Sequence, residues 1–284
     1  MIWFKKRRDL PGSHRRVLRS GIRLALGGFY FRMKRYALWI WNHKQFARTQ
    51  ITDQELEKEF PFTVFRHSSP IFRKLSGVDP ILQKNKMVNL ELAIRKMNLI
   101  QLEPGKVFSF WVLVGNPTSS KGYLPGVQLR NGNFFAGTGG GLCQLANLIY
   151  WMTLHSPLTV KERWRHSFDV FPDSERTLPF GSGATVSYNY VDLMIQNNTQ
   201  IQFVLKLYLD STHLYGEWLS DLELPHTYII YEDYHSFHGE PYGGYTRRNR
   251  IRRKVLDKTS GEELRDELIT ENHAWVLYNP LLSD

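Results

Sequence analysis

A chain of 284 residues, 42% hydrophobic and 23% charged, lies in the ordinary globular range and can bury one sizeable core or two modest ones, which excludes a disordered chain. Its single cysteine excludes an intramolecular disulfide framework and the cysteine-rich zinc motifs, and points to a reducing cytoplasm. The net charge of +10 belongs to one end: residues 1–50 carry 13 Lys and Arg against Asp9 alone, and the remainder carries 24 against 26 acidic residues.

The basic N-terminus precedes an apolar stretch, but Leu24–Phe31 is short, Arg32, Lys34 and Arg35 follow at once, and there is no small-residue cleavage site. The reading is neither a signal peptide nor a membrane span, which needs about 20 apolar residues. The expected location is therefore the cytoplasm, with association at the inner face of the membrane as an option. Leu18, Ile22, Ala25, Phe29, Met33, Tyr36 and Ile40 recur at helical steps, with Arg16, Arg23, Lys34 and Arg35 largely opposite. Gly27 and Gly28 interrupt the pattern, and Trp39 and Trp41 end it with rings suited to a lipid headgroup zone. Residues 1–50 are read as a basic amphipathic arm that either rests on an anionic membrane surface or packs on its own domain. Nucleic acid is the least favoured partner, because basic charge alone supports it weakly.

The polarity inverts near Gln50–Pro61, where Asp53, Glu55, Glu57 and Glu59 follow the basic run. Met87–Met97 has the apolar spacing of a helix, and Val107–Val114, beyond the turn Glu103-Pro104-Gly105, is dense in strand-favouring residues. Tyr123–Leu129 and Asn133–Phe135 read as short strands around Asn131-Gly132. After Cys143, Leu142, Leu145, Leu148, Ile149 and Met152 share a helical face, which Pro157 ends just beyond His155. Alternation then predicts strands at His166–Val170, Ala184–Leu193 and Ile201–Leu209. Beyond about Leu219 the composition shifts to apolar runs at Tyr228–Tyr231 and Ala274–Tyr278, separated by the basic Arg247–Lys254 and the turn Thr259-Ser260-Gly261. The predicted fold class is α+β, a mixed or antiparallel sheet with a Gly-rich turn leading into a central helix. The predicted division is an arm at 1–50, a domain at 61–216 and a small β-rich region at 217–284.

The chemistry concentrates at Gly137-Thr138-Gly139-Gly140-Gly141-Leu142-Cys143-Gln144. Gly139, Gly140 and Gly141 free the backbone for φ > 0 and open into a helix whose first N–H groups are unpaired. A thiol there has its thiolate favoured by the aligned peptide dipoles, and the same N–H groups could receive an oxyanion. The residues therefore predict Cys143 as a thiol of depressed pKa. His166, 23 residues on and at the head of a predicted strand, is the candidate base, an order found in many cysteine hydrolases and transferases.

Each part has a plainer reading. A lone cysteine is usually a small core residue, and three glycines can simply admit close packing. The Lys-Ser/Thr ending of a phosphate loop is missing, so a nucleotide is disfavoured. His166 could be a core histidine, and His155 ends its helix where a cation is favoured. Ser109 lacks nucleophile-elbow glycines. No histidines sit at metal spacing with Cys143, so neither metal nor cofactor is expected.

Four segments carry a further signal: Pro104-Gly105-Lys106-Val107-Phe108-Ser109-Phe110-Trp111, Gly139-Gly140-Gly141-Leu142-Cys143-Gln144-Leu145-Ala146-Asn147-Leu148, Pro157-Leu158-Thr159-Val160-Lys161-Glu162-Arg163 and Ala184-Thr185-Val186. In type and order they resemble the VanW family, over about Arg66–Gly216. The family is named for a bacterial protein encoded beside vancomycin-resistance enzymes, and some larger secreted members look like cysteine L,D-transpeptidases that cross-link peptidoglycan stem peptides. The resemblance implies Cys143 as the acyl-enzyme nucleophile and His166 as its base. This chain departs from the pattern at Gly183, where many members have Asp, and at Trp164, where some have His. The carboxylate orienting His166 must then come from elsewhere; Asp192, Asp169 and Asn189 are the candidates, and Asp192 is preferred because its Asp-Leu pair also resembles the family's.

Two classes of function follow. One is a cysteine acyl-transfer enzyme, transpeptidase-like or amidase-like, acting on a cell-wall-related peptide or amide. The other is a non-catalytic cell-envelope binding or accessory module, in which Gly139, Gly140, Gly141 and Gln144 with Arg163 and Arg165 hold a carboxylate or phosphate.

Overall fold

The apolar periodicities of the chain resolve into helices laid on a twisted antiparallel sheet, with a second sheet of long strands beside it. The computed structural model describes residues 21–72, 79–130, 133–165, 168–170, 177–241 and 243–280. Arg16 and Leu18 of the arm, the turn Asn131-Gly132, and His166 with Ser167 lie outside the described residues.

In chain order, α1 (Gly21–Trp41) is followed by α2 (Asp53–Glu59), β1 (Phe62–Pro70), α3 (Pro80–Met97), β2 (Ile100–Leu102), β3 (Val107–Ser109) and α4 (Phe110–Val114). The hairpin β4 (Pro125–Arg130) and β5 (Asn133–Thr138) leads to α5 (Leu142–Leu154), then β6 (Thr159–Glu162) and β7 (Phe168–Asp169). The remaining strands are β8 (Met194–Gln196), β9 (Phe203–Leu209), β10 (His213–Ser220), β11 (His226–Gly239), β12 (Tyr245–Asp257) and β13 (Glu263–Val276). The α+β class read from the sequence is the class observed.

The main sheet has the order β1-β10-β9-β2, antiparallel throughout. On it lie α5, packed against β1 and β10, and α3, packed against β9. Most of α5 is buried, from Leu142 to Leu154, so it is the central helix of the core. Close approach is possible because β10 has Gly216 beneath it: a Cβ there would stand 2.6 Å from Met152 Cε and 2.9 Å from Leu148 Cδ2. A small sheet, β3-β8-β6, contacts α5 through β6, and the β4-β5 hairpin contacts α3 through β4.

Caps explain where several elements begin. Thr52 and Glu55 form a reciprocal capping box at α2, and Asp79 caps α3 with Pro80 in its first turn. Ser109 explains a departure from the sequence reading. Val107–Val114 is dense in strand formers, yet only Val107–Ser109 is strand: Ser109 Oγ accepts from Val112 N–H at 3.2 Å and starts α4. Ala184–Leu193 also departs from its predicted strand. It forms two isolated bridges, Trp164 with Thr185 and Ser187 with Val191, around a turn in which Asn189 takes φ 46°.

The last three strands pair in antiparallel order, β11-β12-β13, and β7 joins the edge of β13 in parallel. Strand β10 runs through Ser220, past the predicted start of the C-terminal region at 217. Leu224, Tyr228 and Val255 belong to the same hydrophobic core as α5. Beneath the β7–β13 pair, Asp169 and Arg247, 4% and 3% exposed, form an ion pair at 3.1 Å. The Tyr278 hydroxyl donates to Asp169 at 3.0 Å, and Arg247 Nε donates to His235 Nε2 at 2.9 Å. The α1 helix makes contact with β6: Arg35 donates to both carboxylate oxygens of Glu162, at 2.7 and 2.5 Å. Among the described residues no helix is long and apolar enough to cross a membrane.

Candidate functional site

The glycine turn has a structural explanation at each position. Gly139 takes φ 75° and Gly141 φ 98°, which favour glycine. A Cβ on Gly140 would fall inside the backbone of Gly126, so the hairpin strand β4 and the turn meet main chain to main chain. A Cβ on Gly141 would collide with the Lys86 stem. Asn89, fully buried on α3, fastens the turn: its Nδ2 donates to Gly140 O at 2.9 Å and Leu124 O at 3.0 Å, and its Oδ1 accepts from Leu124 N at 2.8 Å. One of these bonds goes to the turn and two to Leu124, so the buried amide ties the turn to the start of the hairpin. The sequence reading missed Asn89, although a lone polar residue in the row Asn89, Ala93, Met97 was the available signal.

Cys143 is the second residue of α5, half-buried, with its thiol packed against the core. Sγ donates to Val186 O at 3.6 Å. One turn on, Asn147 Oδ1 accepts from Ala184 N–H at 2.7 Å. The two side chains thus lie on one helical face, along which residues 183–186 run. That strip is held from its other side by Thr185 N–H donating to Trp164 O at 2.7 Å and by Arg163 Nε donating to Gly183 O at 2.9 Å. The departure at Gly183 is packed too, since a Cβ there would sit 2.7 Å from Asn147 Oδ1.

Burial pushes the Cys143 thiol up. The direction is opposite to the depressed pKa expected from the helix start, and desolvation of a thiolate against the core is its largest cause. His166, the expected base, lies outside the described residues. The described residues flanking it are Arg165, whose Nη2 donates to His273 O at 2.7 Å, and Phe168, paired with Trp275.

Asp192 is buried in a different group of partners. It accepts from Ser109 Oγ at 2.5 Å, Trp111 N at 3.1 Å and Leu193 N at 2.9 Å. Burial pushes its pKa up to about 7, helped by Glu162 and opposed by the Ser109 hydrogen bond, Arg35 and Trp111. Among the described residues none of these groups is a partner of Cys143, and Asp192 ties β3 and α4 to the start of β8. Of the other carboxylate candidates, Asp169 is paired with Arg247, and Asn189 is the turn residue of positive φ.

The expected anion-binding side chains are committed to the chain itself. Arg163 also donates to Gly181 O and to Thr270 Oγ1 and lies 4.8 Å over the Tyr150 ring. Burial lowers its pKa. Arg165 stacks 4.6 Å over Phe180. Gln144 Nε2 donates to Ser69 Oγ at 2.9 Å and Pro70 O at 2.7 Å, joining α5 to β1. The structure thus brings the glycines, Cys143 and Gln144 together at the head of α5 and gives Gln144, Arg163 and Arg165 positioning contacts.

His155 also differs from expectation. It stacks on Phe65 with ring centroids 3.8 Å apart and faces Tyr228 O at 3.1 Å, and burial lowers its pKa to about 4. At the C-terminus of α5 it is a neutral ring and not a cation. It lines a groove of about 420 Å³ with Phe65, His226, Tyr228 and Lys258. Among the described residues no cluster of His, Cys, Asp or Glu could hold a metal ion.

Residues 85–219 match the family model described as VanW like protein. This span contains the glycine turn, α5, the 183–186 strip and Asp192. The chain is 30% identical over 222 residues to the vancomycin B-type resistance protein VanW of Enterococcus faecalis, covering 78% of this chain and 80% of that one. It is 29% identical over 114 residues to the uncharacterized protein YoaR of Bacillus subtilis, covering 40% of this chain and 36% of YoaR. No solved structure matches. The extent of the Enterococcus match, with the family model lying over the Cys143 helix and the strip it contacts, establishes that the chain belongs to the VanW family.

Proposed function

We propose that the chain is a cysteine acyl-transfer enzyme acting on a peptide or amide of the cell-wall stem-peptide class, with Cys143 as nucleophile and His166 as base. The observation that carries the reading is the position of its only cysteine, half-buried in the first turn of α5 behind three glycines. The strip beside the thiol is hydrogen-bonded to Trp164, two residues before His166 in the sequence. The vancomycin resistance named for the Enterococcus relative is in keeping with a cell-wall substrate. A cytosolic or membrane-bound precursor is the substrate form this reading favours.

The raised thiol pKa sets the order of events. At neutral pH Cys143 rests as a thiol, so its proton leaves for His166 as sulfur attacks the carbonyl carbon, and not beforehand. The C–N bond of the substrate then breaks, the leaving amine takes that proton, and a thioester remains. Attack by a second amine or by water, with its proton returned to sulfur, restores the thiol and closes the cycle.

A non-catalytic binding module is the second reading. It is favoured by the same thiol's hydrogen bond to Val186 and by its packing against the core. Incubating the full chain with a peptidoglycan stem tetrapeptide and a free D-amino acid, with mass-spectrometric readout, separates the two. The enzyme reading expects an exchanged or hydrolysed peptide, with the rate falling about 100-fold or more in Cys143→Ser and in His166→Ala. Binding of the tetrapeptide without any product would support the module and contradict the enzyme.

A further inference from the structure

The α1 helix has two apolar faces, and the domain covers one of them. On the inner face Phe31 meets Tyr190 edge-on at 6.1 Å, Arg35 is held by Glu162, Leu38 packs beside Phe46 and Val107, and Trp39 lies 5.8 Å from Tyr188. On the outer face Leu26, Phe29, Tyr30, Met33, Ile40 and Trp41 are 65%, 63%, 61%, 44%, 67% and 83% exposed. At 3.6 residues per turn these six fall within a sector of about 120°. Scattered exposed apolar residues are ordinary, but six aligned along most of a 21-residue helix form a patch that marks an interaction surface.

We propose that this outer face seats the protein on an anionic lipid surface, with α1 lying in the plane of the interface. Charge chooses the occupant. Arg23 and Lys34 border one edge of the stripe and Arg32 the other, all three exposed, and residues 1–50 hold 13 basic residues against one acidic. A second copy on this face would bring two such arms together against their repulsion, whereas acidic headgroups complement them. Tyr30 and Trp41 have the amphipathic rings that settle at headgroup depth. The stripe differs from the one the sequence spacing suggests: Tyr36 turns inward to Trp39, while Leu26, Tyr30 and Trp41 take its place outside. The Arg35–Glu162 pair fixes which face looks outward.

The test is flotation of the full chain with phosphatidylcholine vesicles that contain or lack phosphatidylglycerol, at low and high salt. Binding is expected to the anionic vesicles only and to weaken at least about tenfold at high salt. The variant Leu26→Ser/Phe29→Ser/Met33→Ser/Ile40→Ser, all at exposed positions, is expected to melt as the parent does and to lose vesicle binding. Arg23→Gln/Arg32→Gln/Lys34→Gln is expected to bind more weakly with a shallower salt dependence. Failure of the parent chain to float, or equal flotation of the serine variant, would overturn the proposal. So would a lipid-free dimer, seen by sedimentation, that the serine variant abolishes.

Discussion

Burial disfavours the charged form of three titratable side chains. Cys143 is kept a thiol by burial, His155 a neutral ring and Asp192 a carboxyl with a pKa of about 7. The last two act on stability with opposite sign. Asp192, raised from its ordinary value near 4, contributes stability that is present below that value and lost as pH rises through about 7. His155, lowered to about 4, contributes stability that is present above about 6.5 and lost as pH falls through 4. Between these limits the two slopes oppose each other. Urea midpoints of Asp192→Asn are therefore expected to rise with pH from 4 to 6.5, as the His155 slope is uncovered. The exchange keeps the acceptor toward Trp111 and Leu193 and removes the titration, while the lost acceptor for Ser109 Oγ lowers the midpoint at every pH alike. Midpoints of His155→Phe, which keeps the stack on Phe65, are expected to fall with pH up to about 7. Parallel profiles for the two variants would contradict the assignment. For Cys143, the iodoacetamide rate of the free chain is expected to stay low at pH 7 and climb only above the ordinary thiol pKa of about 8.5. A plateau already reached at pH 6–7 would mean a stable thiolate.

At the scale of elements, the helices with plain apolar periodicity were legible in the sequence and the pieces set by single contacts were not. Met87–Met97 and the face Leu142–Met152 emerge as α3 and α5 because their burial is decided by the core they share. Val107–Val114 misleads because one capping hydroxyl overrides the β-propensity of its neighbours, and Ala184–Leu193 because alternation cannot reveal that its partners are Trp164 and Val191, one bridge each. The sequence reading gave the glycines freedom for φ > 0 or for close packing, and at Gly140 the close contact is with the chain's own strand β4. That distinction sets a contrast in mutability. Gly140→Ala meets fixed main chain and is expected to cost about 3 kcal/mol, the upper end for overpacking. Gly216→Ala meets the flexible ends of Met152 and Leu148 and is expected to cost about 1 kcal/mol. Equal losses in chemical denaturation would mean that the Gly126–Gly140 contact can relax.

For the whole molecule, the uneven charge and the composition shift near Leu219 are plain in the sequence, and the contacts that attach the two ends are not. Arg35, grouped by spacing with the solvated basic residues, is the residue that joins α1 to β6, and its pKa is raised because Glu162 outweighs the cost of burial. Asp169 and Arg247, 78 residues apart, join β7 to the long-stranded sheet. Removing one member of such a buried pair strands the other, so Asp169→Ala is expected to cost about 3–5 kcal/mol. The double replacement Asp169→Leu/Arg247→Met is expected to recover much of that. A single-variant loss below about 1 kcal/mol would show that Tyr278 and His235 suffice without the charge. Because Leu224, Tyr228 and Val255 share the core of α5, the C-terminal strands are expected to unfold with the rest in one transition.

The central claim is that Cys143 forms a covalent bond to an acyl group during turnover. Intact-mass measurement of the full chain, quenched in acid seconds after mixing with a peptidoglycan stem tetrapeptide, tests it most directly. The expected result is a population heavier by one acyl fragment, localised to Cys143 by peptide mapping, released by hydroxylamine, and missing in Cys143→Ser. An unmodified Cys143 at every time point, while the peptide is being turned over, would contradict it.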